Sequence, residues 1–161
     1  VTAICEHTVE GAIGIVLNRL HSSISGKDIF EELKLEMASG AESIPIHIGG
    51  PVNINEIFVL HGPPFDWKGC FHVNPSIAMS NTIDILSALS LGKGPESFII
   101  SLGCAGWGPG QLENEIKQNA WLTSSISVEI IFDTPVELRW QTAVERLGID
   151  PTLLSDTTGH A

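Results

Sequence analysis

The chain has 161 residues, 43% of them hydrophobic, and carries 8 Lys+Arg against 19 Asp+Glu for a formal net charge of −11. That length and apolar content suit one folded domain whose core needs neither disulfide nor metal, and they exclude a disordered chain. The charge opposes approach to nucleic-acid phosphates and to anionic membranes, and no apolar run approaches the ~20 residues of a membrane-spanning helix, so neither direct DNA reading nor membrane insertion is expected.

No Pro/Ser-rich or charge-blocked linker divides the sequence, so residues 1–161 are read as a single domain. No basic-then-apolar leader is visible, and Val1 to Cys5 already read as a strand without an initiating Met, so the native start is expected upstream. The widely spaced Cys5, Cys70 and Cys104 suggest reduced thiols in a cytosolic protein.

Residues 1–18 read as two strands joined at Glu10-Gly11, with Ile13, Ile15 and Leu17 alternating along the second. Ser25 stands three residues before Asp28, a helix start, and Ile29, Phe30 and Leu33 form its apolar stripe. Short strands follow at Ile44 to Ile48, closed by Gly49-Gly50-Pro51, at Ile57 to His61, and at Cys70 to Val73. Asn81 with Asp84 caps a helix carrying Ile85, Leu86 and Leu89, which Gly92 ends. Phe98 to Leu102 is the clearest buried strand, and it leads into a glycine-rich turn at 103–110. A helix then turns Leu112, Ile116 and Ala120 inward, with Glu113 and Lys117 spaced for an ion pair. Ile126 to Phe132 reads as a last strand. Thr134-Pro135-Val136-Glu137 starts a helix whose inward face is Val136, Trp140, Ala143, Val144 and Leu147, with Gly148 as its stop and a partly ordered tail beyond. Strand pairs mixed with isolated helices, without a regular β-α-β repeat, give an α+β fold with a mixed, largely antiparallel sheet.

Chemistry concentrates at Ser101 to Glu113, where four glycines and Trp107 lie between a strand and a helix. The segment lacks the Gly-Lys-Ser/Thr ending of a phosphate loop and the spacing of a dinucleotide fingerprint. Glu113 and Glu115 would also repel phosphate from the helix start. The remaining readings are a structural turn or a ligand or partner surface. Trp107 decides between them, as a binding platform if exposed or as a plug for the sheet if buried. Cys104 after the strand could be a nucleophile, but buried free cysteines are usually small hydrophobes. Cys5 and His7 share a strand parity that could offer two metal ligands, yet the six scattered histidines, His160 among them, form no ligand motif. Gly49-Gly50 reads first as a turn, and Asn18 as a side chain bonding a loop backbone.

Ile4-Cys5-Glu6-His7, Gly11 to Asn18, Gly49-Gly50-Pro51-Val52 and Gly106 to Glu115 together resemble the AlgH/YqgE family of bacterial proteins. Asn119-Ala120-Trp121-Leu122, the Thr134-Pro135 helix with Arg139-Trp140, and the terminal Gly159-His160-Ala161 extend the match over the whole chain. The resemblance implies a bent, bifurcated sheet closing into a pseudo-barrel flanked by helices. It also implies a further N-terminal strand absent from this sequence, which would leave a sheet edge exposed. Members are mostly uncharacterised and carry a label of transcriptional regulator tied to alginate synthesis. They often have an aromatic at the position of Cys104, which weakens a nucleophilic role there.

The expected function is a cytoplasmic regulatory or interaction module, without cofactor or metal, that acts on transcription indirectly through an unknown protein partner or small ligand. Its expected surface comprises Asn18, Gly49, Gly50, Gly106, Trp107, Gln111 and Glu113. No catalytic residue is assigned. The rival is a small-molecule enzyme, for example a hydrolase, pairing Glu113 or Glu115 with a histidine such as His61 or His7.

Overall fold

The computed structural model describes residues 1–154. The partly ordered tail expected beyond Gly148, from residue 155 on, and its Gly159-His160-Ala161 end lie outside the described residues.

The architecture is α+β. Strands β1 (Thr2–Thr8), β2 (Gly11–Val16), β3 (Leu20–Ser25), β4 (Pro45–Ile48), β5 (Val52–His61), β6 (Phe71–Asn74), β7 (Ile77–Ser80) and β8 (Phe98–Trp107) form one bent sheet, nearly closed into a barrel. Helices α1 (Gly26–Glu32), α2 (Ile83–Ser90), α3 (Gln111–Lys117) and α4 (Arg139–Arg146) flank it. The main path runs β1-β2-β8-β5-β7-β6, all antiparallel, while β4 pairs in parallel with β8 and antiparallel with β3.

Strand β8 is where the sheet bifurcates. Its first half, through Leu102, lies between β4 and β5, and its last residues, Ala105 to Trp107, pair with β2. The change of partner falls at Gly103, whose φ of 71° lies in the left-handed region that glycine adopts without strain. The strand therefore runs through the glycines to Trp107, five residues past its expected end at Leu102.

Two apolar clusters fill the two faces. One gathers Ile15, Leu17, Leu60, Ile77, Cys104 and Ile131, and the other sets Phe30 of α1 and Ile85, Leu86 and Leu89 of α2 against Ile46, Val59 and Ile100 of the sheet. Helix α1 starts as expected, with the Asp28 carboxylate accepting from the Ser25 backbone N–H at 2.8 Å. Helix α2 is capped by Thr82 rather than Asn81, and its start is tied to the preceding loop, where the Lys68 N–H donates to Asp84 at 2.9 Å.

Three other expectations fail for local reasons. Ile126 to Phe132 is not a strand. Glu129–Asp133 forms a wide helical turn that buries the neighbours Ile130 and Ile131 together, whereas a strand with one buried face would bury only alternate residues. Helix α3 ends at Lys117, so Ala120 lies beyond it and is exposed. In α4 the inward residues are Val144 and Arg139, whereas Trp140 is 44% exposed. Strands β3 and β7 were not anticipated. No helix among the described residues is long and apolar enough to cross a membrane.

Candidate functional site

The glycines named in the sequence bring backbones together. A Cβ on Gly49 would sit 2.1 Å from the Gly103 carbonyl oxygen, and one on Gly50 would sit 2.3 Å from the Cys104 backbone. Both glycines are buried in this crossing of the β4–β5 connection over β8. Asn18 accepts from the Val1 nitrogen at 2.7 Å, closing β2 against the first strand. These three expected surface residues serve the frame.

Trp107 is 5% exposed, so the plug reading holds and the exposed platform does not. It lies across from Ala12 of β2, and its ring packs with Ala105 and Leu112. A buried indole N–H requires an acceptor. Glu115 supplies it, one turn into α3, accepting from Trp107 Nε1 at 3.0 Å and from Trp121 Nε1 at 2.7 Å on the same oxygen. The other oxygen accepts from Gln111 Nε2 at 2.9 Å, while Gln111 Oε1 accepts from the Gly108 N–H at 3.0 Å. The Trp121 indole, then Gln111, hold the Glu115 carboxyl below its ordinary pKa.

On its solvent side the corner presents Gln111, Glu113 and His7, whereas the exposed Gly106 faces Val52 across the other face of β8. His7 Nε2 lies 2.8 Å from Glu113 Oε1, with both side chains 43% exposed. The Glu113 backbone N–H and the His7 contact lower the Glu113 pKa. Thus the structure joins Gln111 and Glu113 and adds His7, while Trp107 is buried, Gly49 and Gly50 lie at the backbone crossing, and Gly106 is not brought to that surface. Two shallow depressions of about 290 and 260 Å³ lie elsewhere and touch none of these residues.

The other candidate chemistry is sealed. His61 Nδ1 donates to the Gly62 carbonyl at 2.7 Å, so Nε2 is left to accept the Ser80 hydroxyl at 3.0 Å. The residues are 0% and 2% exposed, and burial lowers the His61 pKa. Burial pushes the Cys5 thiol up to about 12 and raises Cys104 as well, opposite to an activated nucleophile. Cys5 is buried at a bulge while His7 is exposed, so the proposed pair of metal ligands is split between core and surface. Sequence reasoning missed Ser80, which sits on the unanticipated β7. It also missed the role of Trp121, whose only signal was spacing from Glu115 and Trp107.

The profile of the AlgH-like family matches residues 1–152. The chain belongs to the AlgH-like family. A UPF0301 protein of Desulforapulum autotrophicum is 50% identical over 161 residues, covering all of this chain and 85% of that one. Another, from Thioalkalivibrio sulfidiphilus, is 42% identical across the same span and 86% of its own length. The solution structure of the AlgH protein from Pseudomonas aeruginosa superposes with a TM-score of 0.82 at 40% identity, covering 99% of this chain and 85% of that one. A Corynebacterium diphtheriae protein, DIP2367, shares the fold at a TM-score of 0.68 and 18% identity, over 90% of this chain and 75% of its own. The fold is therefore shared with both solved structures.

Proposed function

We propose that this AlgH-like protein is a cytoplasmic interaction module that acts on transcription indirectly, through a protein partner or small ligand held at the corner of Gln111, Glu113 and His7. The observation that carries this reading is how the polar side chains are used. Glu115, His61 and Ser80 are committed to internal hydrogen bonds, while His7 and Glu113 form a solvent-facing pair on the side of the sheet that carries α3. The net charge of −11 supports an indirect route over DNA reading, because an acidic surface lacks the phosphate-neutralising footprint.

The test is a variant carrying Glu113→Ala and His7→Ala, compared with the parent for far-UV CD, Tm and capture of partners from extract of the source cell. A folded variant that loses a captured protein or a thermal-shift ligand supports the corner. A folded variant with an unchanged profile rejects it.

One observation favours a second reading. The 2.8 Å contact between His7 and Glu113 is the histidine–carboxylate convergence a general base needs. Hydrolysis of nitrophenyl esters by the protein, abolished in His7→Ala and retained in Cys70→Ser, would establish the enzyme. Equal rates with His7→Ala would end it.

A further inference from the structure

The segment between α3 and the Glu129–Asp133 turn, residues 118–128, crosses the corner without joining the sheet. Among the described residues, the backbone of residues 121–126 makes no hydrogen bond. The apolar side chains Leu122 and Ile126 are 54% and 37% exposed, so they do not anchor it. At its start stands Asn119 with a φ of 58°, and at its end the Ser127 hydroxyl is held by Arg146 at 2.7 Å. Such a stretch has the features of a low-stability element: solvated backbone and few buried apolar contacts.

Among the described residues, Trp121, near its start, is the one side chain of residues 118–126 that hydrogen-bonds the rest of the protein. The ring meets Trp107 edge-on, with centroids 6.0 Å apart and planes at 77°, and its N–H donates to Glu115 at 2.7 Å. The receiving notch is built without Trp121. Trp107 and Gln111 already fix the same carboxylate, Gln111 is fixed in turn by the Gly108 N–H, and Ala105 and Leu112 form the apolar floor. An aromatic slot with one aimed carboxylate selects a flat ring that carries an N–H donor.

We propose that this notch is a binding site for an indole ring, that Trp121 is its built-in occupant, and that the 118–128 strap swings away to admit an external indole, either free or borne on a partner's tryptophan. This stands on the strap geometry and goes beyond the interaction reading, since it does not require His7 or Glu113. Opening removes one of the donors on Glu115, and an entering indole N–H replaces it, so the carboxylate is satisfied in both states.

The test uses the full chain with Trp121→Ala, its fold checked by far-UV CD, and three probes: indole, indene (the same shape without the N–H) and N-acetyltryptophanamide. Indole is expected to raise the variant's Tm by linkage and to bind at least about tenfold more tightly than indene. Tighter binding of N-acetyltryptophanamide than of indole assigns the site to a partner's tryptophan, and the reverse assigns it to the free ring. A folded variant that binds no probe, or binds indole and indene alike, overturns the proposal. The parent protein supplies a second measurement, which decides if Trp121→Ala fails to fold. By NMR, the Trp121 indole N–H is expected to exchange with solvent at least about a hundredfold faster than that of Trp107. Exchange of both only at the rate of global unfolding overturns it as well.

Discussion

Arg139 and His47, 92 positions apart in the chain, meet inside the protein, where the guanidinium Nη1 lies 3.1 Å from the imidazole Nε2. They are 5% and 3% exposed, and the other hydrogen bonds of the guanidinium go to the Leu17 and Thr134 carbonyls, not to a carboxylate. Because Arg139 can only donate, His47 must be neutral with its lone pair on Nε2 and its proton on Nδ1. Nδ1 faces the Ile100 carbonyl without a well-formed hydrogen bond. This contact pins α4 and the preceding turn onto β2 and β4.

Stability is therefore expected to fall in mild acid. Burial first, and the Arg139 charge second, lower the His47 pKa from 6.5 to about 4. The unfolded chain then takes up the proton before the folded one. The stabilisation is intact above pH 6.5 and drains away as pH falls to about 4, a total on the order of 3 kcal/mol. His61, also lowered by burial, adds to the same slope. Urea denaturation between pH 7 and pH 4 should show the decline, and His47→Gln, whose amide oxygen can replace Nε2 as acceptor, should flatten part of it. An unchanged slope in that variant would remove His47 from the account.

Glu115 is expected to matter more as a hydrogen-bond acceptor than as a charge. Replacing it by Ala leaves the buried Trp107 N–H without a partner and frees Trp121 and Gln111, for a loss of about 2 to 4 kcal/mol. Glu115→Gln keeps an acceptor oxygen and should lose roughly half of that. Intrinsic fluorescence followed through urea denaturation reads both, and a smaller loss for Ala than for Gln would contradict the role. The lowered Glu115 pKa means that this stabilisation is present above its ordinary carboxylate pKa and is lost as pH falls below it.

What the sequence disclosed follows from the range of the forces involved. Periodicity and caps are local, so Ser25 with Asp28, the Phe98 to Leu102 run and the Gly92 stop could be read directly. The glycine run of 103–110 misled because glycine signals a turn by default, whereas Gly103 serves a backbone crossing with Gly50 that exists only in three dimensions. The role of Arg139 was not legible, because nothing within its neighbourhood in sequence announced His47 or the Leu17 carbonyl. The candidate corner was half legible. Gln111 and Glu113 could be picked from their helix position, but His7 joins Glu113 across 106 positions, and the burial of Trp107 depends on strand partners that the sequence does not name.

The crossing of the β4–β5 connection over β8 should tolerate no side chain. Gly50→Ala would place a Cβ 2.3 Å from the Cys104 carbonyl carbon and oxygen at a φ of 150°, against backbone that cannot rotate aside. The expected result is a loss above about 3 kcal/mol or failure to fold, since overpacking and backbone strain act together. Gly148→Ala is the control. Its φ of 72° is left-handed too, but nothing lies within 4 Å, so only the conformational cost of about 1 kcal/mol remains. Thermal melts of the two variants side by side would test this, and equal melting would mean that the crossing has room.

The thiols should separate by accessibility. Cys5 and Cys104 are 5% and 1% exposed and have pKa values raised chiefly by burial, whereas Cys70 is half-buried just before β6. Reaction with an aromatic disulfide reagent at pH 8 is expected to label Cys70 rapidly, and Cys5 and Cys104 only as the protein unfolds, because the thiolate is the attacking species and burial both disfavours it and blocks access at these two sulfurs. Cys70→Ser should then abolish the fast phase. Rapid labelling that persists in that variant and disappears in Cys104→Ser would mean that Cys104 is an activated thiol. That outcome would restore the nucleophile its position after β8 first suggested, and would move the search for chemistry from the His7–Glu113 corner to the core.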